Sequence, residues 1–454
     1  MERFYLYRDQ VIGTDEELSE SKRSFTIHPL IFIAAHIPLA YAMSGSSVIS
    51  TLHAAATLIA CLYFAVLGKK IEHVAYGAAY IIGAEVLWRM TGAQVPWEFG
   101  KYATSLIFII PMARGSRLQG PLLPFLYFVL LLPSCVLTLI NETLMEAREQ
   151  ISFNLSGPFA LMVCALFFSH LRLSSEQLQN LRLALIAPVV GIASIALFTM
   201  MNDPDLVFTG ESNSATSGGY GPNQVSAALG LGALMLFYFL TEARVSKVVR
   251  TILFALMLGL MIQSALTFSR GGLYNAIGGA VIGFIFLAKD ARSIIKIILA
   301  TALILGLANF VIIPRLDEFT NGALTARFEN TDPTNRDHII EADLQIWSEH
   351  PIFGVGPGQA TIYRKAIMYG AVAHTEFSRL FAEHGFLGFM SLICLLLSGI
   401  RTLIQTNGSK ARATKASLMT WSMLYMLNAA MRLAAPSFLF GFAFASLESE
   451  EESE

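Results

Sequence analysis

Apolar runs long enough to cross a lipid bilayer recur along most of this 454-residue sequence. A transmembrane helix needs about 20 mostly apolar residues. Only 14% of the residues are charged, against about 25% in soluble domains. The sequence therefore predicts an all-α polytopic membrane protein with about 12–14 transmembrane helices. The apolar runs begin near Pro29, Val48, Val74, Tyr102, Leu122, Pro158, Leu183, Asn223, Thr251, Leu273, Ile294, Phe377, Lys415 and Ala434.

Basic residues alternate between successive connections of these predicted spans. Lys and Arg are frequent in one set of connections, for example at Lys69, Lys70 and Arg114, and are sparse in most of the other set. Because cytoplasmic connections carry the excess of Lys and Arg, the first set is predicted to be cytoplasmic. Both termini then lie inside, as a cytoplasmic N-terminal segment over residues 1–28 and an acidic cytoplasmic tail over residues 448–454.

A long polar interval over residues 314–376 interrupts the apolar pattern. It follows a predicted transmembrane bundle over residues 29–313, whose last span ends near Ile313. It precedes predicted C-terminal transmembrane helices over residues 377–447, the first of which starts near Phe377. The alternation of charge places the interval outside, as a long, partly helical periplasmic loop.

Three further polar segments are predicted to lie on the same outer face as this loop. They are the segment from Arg89 to Lys101, residues 202–221, and the tetrapeptide Ser269–Gly272. Several of their cations run against the positive-inside preference. Membrane topology does not explain why these cations lie on the outer face. Binding of an anionic ligand would explain it.

Residues 335–350 of the loop have the pattern of an amphipathic helix. Ile340, Leu344 and Trp347 recur at helical spacing and are predicted to form the buried face. Asp343 is among the positions assigned to the polar face.

A series of short motifs lies in and around the polar interval. The motifs are Thr267–Gly272, Arg336, Trp347, His350–Gly358 with its glycine-rich turn, His374–Phe377 and Ala382–Gly388. Their order and spacing resemble the O-antigen ligase and polysaccharide polymerase family, over roughly residues 217–390. The N-terminal half resembles that family only in its topology.

The resemblance implies a multi-pass glycosyltransferase of the bacterial inner membrane, with its active site facing the periplasm or exterior. The donor would be a glycan carried on a polyprenyl diphosphate such as undecaprenyl diphosphate. The acceptor would be lipid A core in a ligase, or another lipid-linked repeat in a polymerase, and both activities stay open. By the same resemblance, the family's histidine corresponds to His374, and its outer-face arginines correspond to Arg270 and Arg336.

These residue types suit the implied reaction. A departing diphosphate needs stabilisation of its negative charge, and arginine binds phosphate oxygens in a bidentate manner. The acceptor hydroxyl needs a base, and histidine has a pKa near the working pH. The resemblance implies metal-independent chemistry, so we predict that the site holds neither a metal nor a cofactor.

Four more residues are candidates for binding the substrate. Arg327, Arg89 and Lys101 are candidate phosphate ligands, and Glu376 is a candidate to contact the substrate or to orient the histidine. Three of them have a simpler alternative. Arg327 would be a solvated loop charge, Arg89 would pair with Glu85 four residues earlier, and Glu376 would cap a helix.

Two other functional classes, transporter and scaffolding protein, remain open, and nucleic-acid binding is not indicated. A transporter of an anionic lipid or solute would also use many spans and inward-facing cations, although no internal repeat typical of transporters is evident. A scaffolding membrane protein would leave the outer-face cations unexplained. A nucleic-acid partner is not indicated, since the sequence has no basic stripe interleaved with aromatic residues. Membrane lipids are the expected surroundings.

Overall fold

The fold was analysed in a computed structural model. The structure describes residues 29–115, 120–208, 211–212, 214–242, 245–288, 308–330, 336–367 and 375–448, together with the single positions 294, 295, 299 and 306.

Helices account for nearly all the regular structure in this part of the chain. The first nine are α1 (Pro29–Ser44), α2 (Ser47–Leu67), α3 (Glu72–Met90), α4 (Phe99–Arg114), α5 (Leu122–Val129), α6 (Cys135–Asn141), α7 (Leu144–Phe168), α8 (Ser175–Asn202) and α9 (Pro222–Glu242). The next nine are α10 (Lys247–Leu266), α11 (Arg270–Leu287), α12 (Ile313–Phe319), α13 (Ala323–Glu329), α14 (Arg336–Glu349), α15 (Ala360–Ile367), α16 (Glu376–Gln405), α17 (Ser409–Ala429) and α18 (Ala435–Phe442).

The prediction of an all-α polytopic membrane protein is confirmed. Seven helices in the described part of the chain are long and apolar enough to cross a membrane. Of the other predicted spans, those near Val74 and Lys415 form the long but less apolar helices α3 and α17, and several others are short or interrupted. The run from Leu122, for example, is divided into α5 and α6 around Pro133, which lacks a backbone donor. The total of about 12–14 spans stays a prediction, because most residues of the run near Ile294 lie outside the described residues.

The centre of the bundle is formed by α3, α8 and α9, which are buried along most of their length. Helices in a bilayer gain little from hydrophobic association, so small residues that permit close packing determine their contacts. Gly83 of α3 shows this, since a Cβ atom there would overlap the backbone carbonyl of Leu185 in α8. By contrast, most of the α2 surface is exposed, as expected for a helix facing lipid.

Glycines also bring α11 against α9 and α17. A Cβ atom at Gly278 would overlap Leu424 of α17, and one at Gly279 would lie 3.1 Å from Leu234 of α9. At Gly283, a Cβ atom would overlap the Tyr238 hydroxyl. These glycines therefore fix the position of α11, whose first residue is Arg270.

Two short parallel strands link distant parts of the chain. Strand β1 (Arg172–Leu173) pairs with β2 (Ser446–Leu447), with Arg172 opposite Ser446. This pairing ties the segment after α18 to the start of α8.

The predicted amphipathic helix exists as α14, but of its three predicted face residues only Trp347 packs against the protein, with its ring 5.0 Å from that of Phe381. Ile340 is 36% exposed and Leu344 is 41% exposed, whereas Ile339 and Asp343 are buried. The buried face is rotated because Asp343 points inward. There it forms an ion pair with Arg364 and accepts a hydrogen bond from Ser378 at 2.7 Å.

Candidate active site

The positive charges of three arginines from separate elements act on a fourth, Arg336. Arg270 starts α11, Arg327 lies in α13, Arg336 starts α14, and Arg432 lies between α17 and α18. Burial lowers the pKa of the Arg336 guanidinium, and the positive charges of Arg270, Arg327 and Arg432 lower it further. We call these four residues the arginine cluster.

The turn before Arg270 is fixed by α9. Phe268 is buried and has a φ of 56°, in the left-handed region that non-glycine residues rarely adopt. The Ser269 hydroxyl donates to Asn223 Oδ1 at 2.7 Å, and the Ser226 hydroxyl donates to the Ser269 carbonyl at 2.8 Å. The start of α11 is thereby held in a defined orientation.

Two hydrogen bonds then join this turn to α13 and the residue after it. Arg270 donates to the carbonyl of Asn330, and Arg327 Nε donates to the carbonyl of Phe268 at 3.0 Å. Each arginine thus reaches the backbone of the other's segment. This reciprocal contact brings together two of the candidate phosphate ligands. It also shows that Arg327 is not simply a solvated loop charge.

The loop over residues 430–434 is held by three charged side chains. Glu376 accepts from the Met431 N–H at 3.3 Å, Glu85 accepts from the Ala434 N–H at 2.8 Å, and Arg89 donates to the Arg432 carbonyl at 3.3 Å. Glu376 and Arg89 therefore support the loop that carries Arg432.

Arg89 itself is surrounded by protein acceptors. Its guanidinium donates to Glu85 at 2.7 Å, to Gln224 at 2.6 Å and to the carbonyl of Trp97 at 2.8 Å. It also lies 4.3 Å from the centre of the Trp97 ring. The salt bridge to Glu85, which was the simpler alternative for Arg89, is present.

Buried charges at the start of α16 form a second group beside this loop. Arg379 pairs with Glu376 and, at 2.6 Å, with Glu383. It also donates to Asn154 Oδ1 of α7 at 3.1 Å. Sequence reasoning missed Arg379, although its spacing of three and four residues from the two glutamates places all three on one helix face.

A cleft of about 1100 Å³ opens beside these charges. Its walls come from the α3–α4 connection, α4, the first half of α7, α15, the start of α16 and the 430–434 loop. Lys101 and Glu376 line it, and so does Arg432. Lys101 is buried and donates to the Ser156 hydroxyl at 3.2 Å. We call this the α4–α7 cleft.

The predicted site residues thus fall into two adjoining groups. Arg270, Arg327 and Arg336 belong to the arginine cluster, while Lys101 and Glu376 line the α4–α7 cleft. Arg432, which was not among the predicted site residues, belongs to both groups, and Arg89 supports its loop. His374 lies outside the described residues. The described chain resumes at Thr375, one residue after it and next to Glu376 on the cleft wall.

The glycine-rich turn Gly354–Gly358 approaches α16. The N–H groups of Val355 and Gly356 donate to the carbonyls of Ala382 and Glu383 at 3.0 and 2.9 Å. The turn fits into a kink of α16 at Gly385, whose φ of 58° is in the left-handed region. The backbone of this turn therefore packs directly against the backbone of α16.

Replacing Gly385 with alanine is expected to destabilise the protein by about 1–3 kcal/mol or more. The left-handed backbone would be strained, and a Cβ atom would lie 2.6 Å from the backbone nitrogen of Gly354. Thermal unfolding of the detergent-solubilised protein would measure the effect. Gly259→Ala in α10 is the matched control, because no heavy atom lies within 4 Å of a Cβ atom there. Equal melting temperatures for the two variants would contradict the strain.

One of the remaining motif histidines is part of the packing at this kink. His384 is fully buried, and its Nδ1 atom contacts the Ser134 hydroxyl. It does not line the α4–α7 cleft, although its neighbour Glu383 does. Within the described residues, no group of three or more His, Cys, Asp or Glu side chains is arranged to hold a metal ion.

Part of the chain resembles a known family of proteins. Residues 252–393 match the sequence profile of a family described as O-Antigen ligase, and no curated protein matches the chain. The matched stretch contains Arg270, Arg327, Arg336, Glu376 and Arg379. Over this stretch the chain is similar to the O-antigen ligase family, and its apolar helices are those of a multi-pass membrane protein.

Proposed function

We propose that the arginine cluster binds the diphosphate of a polyprenyl-linked glycan, and that the protein transfers this glycan to a sugar hydroxyl. The observation that carries the proposal is that the positive charges of Arg270, Arg327 and Arg432 all act on the half-buried Arg336. Like charges repel one another, and more strongly where they are partly withdrawn from water. A diphosphate bound among these guanidinium groups would offset that repulsion.

Arginine suits this ligand better than lysine would. Its planar guanidinium donates two parallel hydrogen bonds to phosphate oxygens, and it stays charged even when neighbouring cations lower its pKa. In the transfer, the bond between the anomeric carbon and the diphosphate oxygen breaks, and the diphosphate leaves with the electron pair. The cluster stabilises the negative charge that develops on it.

We assign the role of general base to His374. The acceptor oxygen forms the new bond to the anomeric carbon, and its proton passes to the imidazole. Support comes from the family match, which includes position 374, and from Glu376, which lies two residues further on and lines the cleft beside Arg432. Lys101 lies on the same cleft, where its charge would attract the substrate. The acceptor in this scheme is lipid A core or another lipid-linked repeat.

The direct test is transfer by the purified protein. A lipid-linked repeat would be incubated with the protein in the presence and in the absence of lipid A core, and the products would be separated on gels. A capped core identifies a ligase, and longer lipid-linked chains identify a polymerase. If neither product forms although the protein is folded, the transferase assignment fails.

Removal of divalent metal is expected to leave the transfer rate unchanged within about twofold. The proposed charge stabilisation comes from guanidinium groups, which replace the metal ions that many phosphate sites use. The measurement is the initial rate with and without EDTA, followed by addition of excess Mg²⁺ to the chelated sample. A rate that falls with EDTA and recovers with Mg²⁺ would contradict the metal-independent scheme.

A further inference from the structure

The α4–α7 cleft adjoins the arginine cluster but differs from it in shape and charge. Its volume of about 1100 Å³ exceeds the roughly 300–1000 Å³ typical of small-molecule pockets. Arg432 lies where the cleft and the cluster meet. A second substrate bound in the cleft would therefore lie next to the diphosphate of the first. This geometry fits the acceptor of a transfer reaction.

An aromatic ring stands at the edge of the cleft. Trp97 is 45% exposed and lines both the cleft and a smaller adjoining pocket of about 140 Å³. The Arg89 guanidinium lies 4.3 Å from the centre of the indole ring and also donates to the Trp97 carbonyl. These contacts fix the ring in place. The negative π face of an aromatic ring attracts the C–H bonds on the apolar face of a sugar, so a fixed and exposed indole is suited to stack on a sugar ring.

The rim of the cleft is acidic. Glu98, Glu142, Glu146 and Glu149 lie on it together with two exposed cations, Arg148 and Lys365, so the carboxylates outnumber the cations by two. Hydrogen bonds from the side-chain amides of Gln359 and Gln150, at 2.9 and 3.2 Å, lower the pKa of Glu142. Glu142 is therefore a carboxylate at neutral pH. Such a rim accepts hydrogen bonds from sugar hydroxyl and ammonium groups and repels phosphate.

Of the cations deeper in the cleft, Lys101 is buried behind the rim against the Ser156 hydroxyl, and two others are compensated. Arg364 is paired with buried Asp343, and Arg379 is paired with Glu376 and Glu383. Their charges are compensated by protein carboxylates. An incoming acceptor therefore meets a negative rim before it reaches Arg432.

We propose that the α4–α7 cleft binds the acceptor glycan, with Trp97 as its stacking platform, and that the acidic rim selects sugar chains without phosphate groups. The assignment of the bound glycan as acceptor rests on the proposed transferase function. The selection favours the uncharged or amino-bearing end of a lipid-linked repeat over a phosphate-bearing core oligosaccharide. It thereby favours chain extension between the two activities that the family match leaves open.

Binding of defined tetrasaccharides to the full-length protein in detergent, without any lipid-linked donor, would test the cleft. The probes are a neutral glucose tetramer, a glucosamine tetramer and a 6-phosphorylated glucose tetramer, and the readout is the dissociation constant from calorimetry. We expect the neutral and amino probes to bind about fivefold or more tightly than the phosphorylated probe. Equal or tighter binding of the phosphorylated probe, or no binding of any probe, would overturn the proposal.

Two sets of variants separate the platform from the rim. Trp97→Ala is expected to weaken binding of the neutral probe about tenfold, and Trp97→Phe, which retains a ring, is expected to weaken it less. The triple variant Glu142→Gln, Glu146→Gln, Glu149→Gln is expected to remove most of the discrimination against the phosphorylated probe. Glu341→Gln, at an exposed position of α14 outside the cleft, is the matched charge control. Unchanged affinities in the Trp97 variants, or unchanged discrimination in the triple variant, would exclude the cleft.

A separate titration keeps this proposal distinct from the proposed function. Polyprenyl diphosphate binding would be measured on the same variants, and we expect it to be retained because the arginine cluster is intact. Retained binding also shows that the variants are folded. If tetrasaccharides bind as expected but Arg336→Ala leaves diphosphate binding unchanged, the donor site is refuted while the glycan site stands.

Discussion

Replacing His374 with alanine is expected to lower the rate of glycan transfer by about 10²- to 10⁴-fold, the usual contribution of a general base. The acceptor hydroxyl would then have to lose its proton to water. Affinity for polyprenyl diphosphate should stay the same, because the proposed donor contacts are guanidinium groups. The measurements are the initial rate with a lipid-linked repeat and, separately, the dissociation constant of the diphosphate lipid.

His338→Ala supplies the control for this experiment. His338 lies in α14 of the same polar interval, is exposed, and contacts Glu341 at 3.4 Å. Its removal should leave the rate unchanged. Added imidazole is expected to restore part of the activity of His374→Ala, which a purely structural histidine would not allow. Full activity in His374→Ala would remove the base assignment.

Replacing Arg336 with alanine is expected to weaken polyprenyl diphosphate binding by roughly 10- to 100-fold. Hydrogen bonds to charged groups are worth about 1.5–3 kcal/mol each, and a guanidinium can donate two of them to a phosphate. Arg336→Lys should fall between the parent and the alanine variant, because it retains the charge and loses the planar fork. Titration of the protein in detergent with the diphosphate lipid measures all three.

Arg315→Ala is the matched control for the arginine cluster. Arg315 lies in α12 of the same polar interval and is highly exposed, with Glu318 at 3.2 Å as its ion-pair partner. An exposed pair of this kind contributes little, so its loss should change neither affinity nor rate. If Arg336→Ala binds the diphosphate lipid as tightly as Arg315→Ala does, the cluster is not the donor site.

Two of the predicted site residues contact the loop that carries Arg432. Arg89 and Glu376 donate to or accept from the backbone of the 430–434 loop. They hold the segment from which Arg432 extends. We infer that they position Arg432, which modifies the direct phosphate contact first expected of Arg89.

The membrane class, the polar interval and the order of the motifs were predictable from the sequence. Hydropathy and charge spacing can be evaluated one segment at a time, because each span contacts the bilayer independently of the others. The glycine-rich turn and the motif Ala382–Gly388 were recognisable as motifs. The sequence did not indicate that the two pack against each other, backbone to backbone, at Gly354 and Gly385.

The buried face of α14 shows the limit of pattern reasoning. Counting apolar residues favoured Ile340 and Leu344, since Asp343 is charged and a lone carboxylate is costly to bury. The partner that makes its burial possible is Arg364, which lies in another helix. No pattern within α14 itself indicates that partner.

The sequence by itself determined that this is a helical membrane protein with an arginine- and histidine-containing polar segment, because both properties are local to the chain. Only the tertiary structure decided which of the cations interact with one another. Arg432 joins Arg270, Arg327 and Arg336 although it belongs to a different loop, and Arg89 reaches its carbonyl across 343 residues of sequence. Contacts of that range depend on how the helices pack, and that packing is set by small residues and buried charges on many helices at once.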